Sequence, residues 1–100
     1  MAKKSAQEAY DGILAHIKKQ GGPFKSWYCG ITQDIDSRLF GDHNVPRKDH
    51  WFTYRQCVNS SMARSVEKVF LDHGCDGGPG GGDNDADYVY AYLKTSTTSP

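Results

Sequence analysis

The sequence predicts a small α+β protein in which a three-stranded, mostly antiparallel sheet is flanked by about three helices. Two kinds of periodicity predict this fold class. Apolar residues recur at helical spacing in residues 5–20 and 62–73. In residues 24–32 and 88–93, side chains that suit a core alternate with side chains that suit the opposite face, as in a strand. A third strand is predicted at residues 51–58, which are rich in aromatic and β-branched residues.

The helices have recognisable ends. Ser5 and Glu8 have the spacing of a capping box at the start of the first helix, and the sequence Gly21-Gly22-Pro23 ends that helix. A short second helix is predicted to run through Ile35, Arg38 and Leu39 and to close at Gly41. The third helix follows the candidate N-caps Asn59, Ser60 and Ser61 and stops at Gly74.

The length of 100 residues fits one domain, predicted over residues 1–95, with a disordered Ser/Thr-rich tail at residues 96–100. No run of residues is apolar enough for a membrane span, and the N-terminus has no apolar segment typical of a secretory signal. Three cysteines without tight spacing favour a reducing compartment, so we expect a cytoplasmic protein without a membrane partner. The net charge is zero, whereas a protein that binds nucleic acid mainly by charge is usually basic.

One segment combines residue types that suit phosphate chemistry. A strand carries Tyr28 beside the small Gly30, and a short helix then presents Arg38, whose planar, permanently charged group suits phosphate. This segment resembles the second motif of the GIY-YIG nuclease superfamily. The matching residues are Tyr28, Gly30, Thr32, Ile35, Arg38, His43 and Asn44, with one extra residue between Arg38 and His43.

A second match to the same family lies on the third predicted helix. Ala63 is followed four residues later by Glu67, and the resemblance implies that Glu67 holds one divalent cation, Mg²⁺ or Mn²⁺. It further implies a metal-dependent endonuclease that hydrolyses phosphodiester bonds in DNA. In that reaction Arg38 would neutralise the phosphate, and Tyr28, a tyrosine of the last strand such as Tyr90, or His43 would act on the attacking water.

The sequence departs from the family in one respect. The strand that should precede Tyr28 in a hairpin is missing, because Gly21-Gly22-Pro23 stands in its place. We hypothesise a divergent or permuted member, in which residues 88–92 take the place of the missing strand and bring Tyr88 or Tyr90 beside Tyr28. Asn84 is the candidate for an asparagine that the family carries late in its sequence.

Other interpretations remain open. The chain could be a catalytically inactive module of the same fold that binds a protein or nucleic acid, for example an inhibitor or accessory factor. A nuclease this small implies a homodimer, a protein partner or low sequence specificity. Asp83, Asp85 and Asp87 resemble the start of a calcium loop, but the glycine and glutamate that complete one are missing. The histidines and cysteines lack the spacing of a zinc site.

Overall fold

The computed structural model describes residues 3–21, 23–47, 51–77 and 85–99. The elements, in chain order, are helix α1 (Ala6–Gln20), a short 3₁₀ turn (Phe24–Ser26), strand β1 (Trp27–Thr32), a π-helical segment (Asp36–Asp42), strand β2 (Phe52–Gln56), helix α2 (Ser60–His73) and strand β3 (Tyr88–Leu93). The predicted α+β class, with three helices and three strands, is confirmed.

The three strands form one antiparallel sheet in the order β1-β3-β2. The last strand of the chain is therefore the central one. It pairs with β1 from Trp27↔Leu93 to Thr32↔Tyr88, and with β2 from Phe52↔Tyr92 to Gln56↔Tyr88. The hypothesis that the last strand lies beside the strand of Tyr28 is confirmed, although the residue directly opposite Tyr28 is Tyr92 rather than Tyr88 or Tyr90.

One face of the sheet, here called the helical face, packs against α1 and α2. Because strand side chains alternate between faces, β1 and β3 contribute every second residue to it. The buried residues of this core are Ala9, Ile13, Ile17, Trp27, Cys29, Ile31, Cys57, Ala63, Val66, Phe70, Cys75, Ala86, Val89 and Ala91. All three cysteines are free thiols in this interior, and Cys29 and Cys57 fill small positions in the core.

The opposite face carries the tyrosines and is here called the tyrosine face. Tyr28, Tyr90 and Tyr92 form a second buried cluster with Leu39 of the π-helical segment and with Ile35 and Val45 beside that segment. The segment is held by a bond from the His43 N–H to the Arg38 carbonyl at 3.0 Å, five residues back along the chain. π-Helical turns are rare and occur frequently at functional sites.

The helix ends follow the sequence signals. Ser5 and Glu8 form the predicted capping box, in which each side chain accepts a bond from the other residue's N–H. Helix α2 begins two residues earlier than predicted, because the Asn59 side chain accepts from the Met62 N–H at 2.9 Å and caps it. Gly74 ends α2 in the left-handed conformation that a glycine adopts without steric cost.

The C-terminal residues contact the loop that follows the π-helical segment. Thr98 is buried, and the Ser99 N–H donates to the His43 carbonyl. The disorder expected for residues 96–100 stays a prediction. Among the described residues, no helix has the length and apolar content needed to span a membrane.

Candidate active site on the tyrosine face

Strand pairing brings three tyrosines together on one face of the sheet. Tyr28 of β1 lies opposite Tyr92 of β3, and their rings stack with centroids 5.3 Å apart. Tyr90 lies two residues along β3, with its ring centroid 6.4 Å from that of Tyr28. The residue opposite Tyr90 is Gly30, and the Tyr90 hydroxyl occupies the space where a side chain at position 30 would start.

The loop after the π-helical segment adds a histidine to these rings. The His43 ring lies 4.6 Å from Tyr28, 5.5 Å from Tyr90 and 5.0 Å from Tyr92, measured between ring centroids. His43 is 4% exposed and the three tyrosines are at most 4% exposed. Four aromatic residues from three segments of the chain therefore form one tightly packed group.

The hydrogen bonds of His43 determine its tautomer. Nδ1 lies 2.8 Å from the carbonyl oxygen of Ser99, which can only accept, so the proton of the neutral ring is on Nδ1. Nε2 then accepts from the Tyr90 hydroxyl, at 2.7 Å. The Tyr92 hydroxyl lies 3.1 Å from Nδ1. Tyr90 thus donates a hydrogen bond to Nε2 of His43.

Arg38 connects this buried group to solvent. Its hydrogen bond with the Tyr90 hydroxyl is the main cause that raises the pKa of Arg38, so the guanidinium stays charged. Its side chain is 37% exposed and also pairs with Asp42 at 3.3 Å. Since Asp42 is largely exposed, this ion pair is weak, and an anion from solution can replace the carboxylate.

Burial controls the charge of the other groups in the cluster. It lowers the pKa of His43, an effect that the nearby Arg38 reinforces and the bond to Ser99 opposes. It also raises the pKa values of Tyr90 and Tyr92. The resting cluster therefore holds a neutral imidazole and neutral phenols beside one guanidinium.

Glu67 lies elsewhere in the fold. It is on α2, which packs against the helical face. Burial raises the pKa of the Cys29 thiol, and the charge of Glu67 adds to that rise. Burial raises the pKa of Glu67, and Arg64 partly opposes that rise. The structure thus brings together Tyr28, Arg38, His43 and Tyr90, whereas Glu67 is carried by the helix on the other face of the sheet.

The donor set around Glu67 limits the kind of cation it could hold. Within residues 3–21, 23–47, 51–77 and 85–99, no three His, Cys, Asp or Glu side chains come together as metal ligands. A single carboxylate fits Mg²⁺ or Mn²⁺ only where water and substrate oxygens supply most of the coordination, which is common for Mg²⁺. The candidate late asparagine, Asn84, and Asp83 of the calcium-like sequence lie outside the described residues.

The raised pKa of Glu67 predicts a pH-dependent stability. Because folding favours the protonated carboxyl, its contribution to stability is present at acid pH and is lost as the pH rises through the folded-state pKa. Glu67→Gln is therefore expected to raise the melting temperature at pH 7 and to leave it unchanged well below pH 4.5, as measured by circular dichroism. Glu8 is the control, because hydrogen bonds from Ser5 lower its pKa and Glu8→Gln should lose stability at pH 7. A Glu67→Gln variant that is less stable than the native protein at pH 7 would contradict the prediction.

No known protein family matches this chain, and neither does any curated protein or solved structure. The interpretation of the site therefore depends on its own geometry. Tyr92 and Ser99 are members of the site that the sequence does not single out. Tyr92 could have been found from the alternation of tyrosines along its strand, once the register with β1 was known.

Proposed function

We propose that this protein is a GIY-YIG-type endonuclease that hydrolyses phosphodiester bonds in DNA. The observation that supports it best is the 2.7 Å contact of the Tyr90 hydroxyl with Nε2 of His43, in a cluster whose exposed end carries the Arg38 guanidinium. In the proposed site Arg38 binds the phosphate, and Tyr28, Tyr90 and His43 act on the water. The Mg²⁺ or Mn²⁺ that the resemblance assigns to Glu67 would lie on the other face of the sheet, so no step at this site is assigned to Glu67.

The contact between Tyr90 and His43 supports a proton relay in the proposed reaction. As water attacks phosphorus, its proton passes to the oxygen of Tyr90, and the proton of Tyr90 passes over 2.7 Å to Nε2 of His43. Arg38 stabilises the charge that develops on the phosphate and any charge left on Tyr90. A free tyrosine has a pKa of about 10, so both neighbours are needed for this role near neutral pH. A divalent cation, when bound, supplies Lewis-acid stabilisation of the leaving oxygen.

The zero net charge restricts how DNA would bind. Duplex DNA is held mainly by phosphate contacts with Lys and Arg, and a neutral protein gains little long-range attraction. We therefore propose a local contact centred on Arg38, in the cytoplasm, with a second copy of the chain or a protein partner supplying further contacts. Weak DNA binding with a shallow salt dependence follows from this proposal, because the isolated protein contacts few phosphates.

Nicking of supercoiled plasmid tests the proposed function. The native protein should nick plasmid with Mg²⁺ or Mn²⁺ and stop when the metal is chelated. Arg38→Ala should lower the rate by about 10²- to 10³-fold, the usual cost of losing a charge-stabilising donor. Glu67→Ala should leave the rate of nicking unchanged, because Glu67 lies on the other face of the sheet. Arg55→Ala is the matched control, because Arg55 contacts Thr53, Tyr54 and the side of α1 instead.

Each variant separates a different part of the proposal. Nicking that survives Arg38→Ala would come from a contaminant and would refute the proposed function. Loss of nicking with Glu67→Ala in a folded protein would contradict the separation of Glu67 from the site on the tyrosine face. Equal loss with Arg55→Ala would indicate a general effect of arginine removal rather than a site.

A second candidate function is a non-catalytic binding module. The observation in its favour is the burial of the hydroxyls of Tyr90 and Tyr92 and the engagement of both His43 nitrogens, which leave the phenols protonated. Such a module would bind DNA or a partner protein through Arg38 without cutting it. DNA binding that depends on Arg38 but never yields nicked plasmid would favour this function.

A further inference from the structure

The C-terminal segment of residues 97–99 is attached to the site by its backbone. The Ser99 N–H donates to the His43 carbonyl at 2.7 Å, and the Asn44 side-chain amide donates to the Thr97 carbonyl at 3.0 Å. A turn closed by the bond from the Thr98 N–H to the Thr95 carbonyl directs the segment toward the site. Thr98 itself is buried. These contacts place the Ser99 carbonyl oxygen 2.8 Å from Nδ1 of His43.

The Ser99 carbonyl is the group that decides which nitrogen of His43 carries the proton. The two tyrosine hydroxyls beside the ring can each donate or accept, so neither of them determines the tautomer. A carbonyl oxygen can only accept, and it therefore requires the proton on Nδ1. Without it, the Tyr92 hydroxyl could donate to Nδ1, and Nε2 would become the protonated nitrogen facing Tyr90.

We propose that residues 97–99 are a positioning segment for His43, holding its proton on Nδ1 so that Nε2 remains the acceptor for the Tyr90 hydroxyl. This inference rests on the proposed function, which uses the Tyr90–His43 pair as the base. The side chain of Ser99 has no part in it, because the contacts come from the backbone of the segment and from Asn44. A group that hydrogen-bonds one ring nitrogen of a histidine commonly decides which nitrogen carries the proton and which one is reactive.

Two substitutions release the segment while the side chains of Tyr90 and His43 are kept. Ser99→Pro removes the N–H that bonds the His43 carbonyl, and Asn44→Asp removes the amide donor to Thr97. Asp is chosen because Asn44 has φ of 54°, a conformation that Asp tolerates better than Ala does. Ser96→Ala changes an exposed residue of the same tail and is the control.

The test reads the tautomer directly, from the ¹⁵N chemical shifts of His43 in the full chain at a pH where the ring is neutral. The native protein and Ser96→Ala should show a protonated Nδ1 and an unprotonated Nε2. In Ser99→Pro and in Asn44→Asp, the Nδ1 signal should move toward the range of an unprotonated nitrogen and the Nε2 signal toward that of a protonated one. The double variant should show the largest change in both signals. Hydrogen exchange at the Thr98 amide reports whether the segment has been released.

Two results would overturn the proposal. One is a native protein with the proton of His43 on Nε2. The other is a double variant in which Thr98 exchanges freely but the His43 signals do not move, since the segment would then be a passive cover. Because the measurement needs no DNA, a tail-dependent tautomer in a protein that never nicks plasmid would refute the proposed function while leaving the positioning of His43 established.

Discussion

Replacing Tyr90 with phenylalanine is expected to lower the rate of plasmid nicking by about 10²- to 10⁴-fold, the range that one acid–base group contributes. The substitution removes only the hydroxyl that lies 2.7 Å from Nε2 of His43 and that hydrogen-bonds Arg38. The ring, which stacks against Tyr28, is kept. The connection between the charged and the basic end of the site is therefore lost while the packing remains.

Tyr54 provides a matched control for this prediction. It is the register partner of Tyr90 on β2, but it is 42% exposed and lies outside the His43 cluster. Tyr54→Phe should nick plasmid at the native rate. If Tyr90→Phe has the native rate as well, with a melting curve that shows a folded protein, then Tyr90 takes no part in the reaction and His43 has no proton to receive from it.

Replacing Gly30 with alanine is expected to lower the free energy of unfolding by about 1–3 kcal/mol, the usual cost of overpacking a core. A methyl group at position 30 would lie 2.5 Å from the Tyr90 hydroxyl oxygen and 2.7 Å from the ring carbon that carries it. Tyr90 cannot move aside easily, because it is 1% exposed and bonded to His43. The loss should be read from urea unfolding curves, and the displaced hydroxyl should also appear as a changed ring signal of His43.

Gly41 is the matched control, since it lies in the π-helical segment with open space around it. The nearest atom to a methyl group there is the Asp36 carbonyl oxygen at 3.9 Å, which is an ordinary contact. Gly41→Ala should leave stability unchanged or raise it slightly, because alanine restricts the unfolded chain. A Gly30→Ala protein as stable as Gly41→Ala would show that the Tyr90 ring is not fixed where the structure places it.

The fold class could be predicted from the sequence because it depends on local signals. The capping box at Ser5, the stop at Gly74 and the two kinds of periodicity each act within a few residues. Register is different, since it depends on contacts between distant segments. The alternation of tyrosines in β3 showed that they share a face, but it could not show that Tyr92, rather than Tyr88 or Tyr90, lies opposite Tyr28.

The candidate site was predictable to the same extent. Arg38 and His43 could be selected because a short helix and its following loop keep their spacing, and the extra residue between them is accommodated by the bond that spans five residues. The bonds of Ser99 were not predictable, because a Ser/Thr-rich tail has no pattern that names its partner. Glu67 matched a motif on its own helix, but the sequence does not tell which face of the sheet that helix covers.

The central position of the last strand sets the order in which the protein can fold. Strands β1 and β2 are not paired with each other. Each pairs with residues 88–93, which lie between them in the sheet. During synthesis, two strands with open edges must persist until residues 88–93 have been made, and the pairing of Trp27 with Leu93 closes a long loop. Such non-local pairing slows folding and exposes the partly folded chain to aggregation.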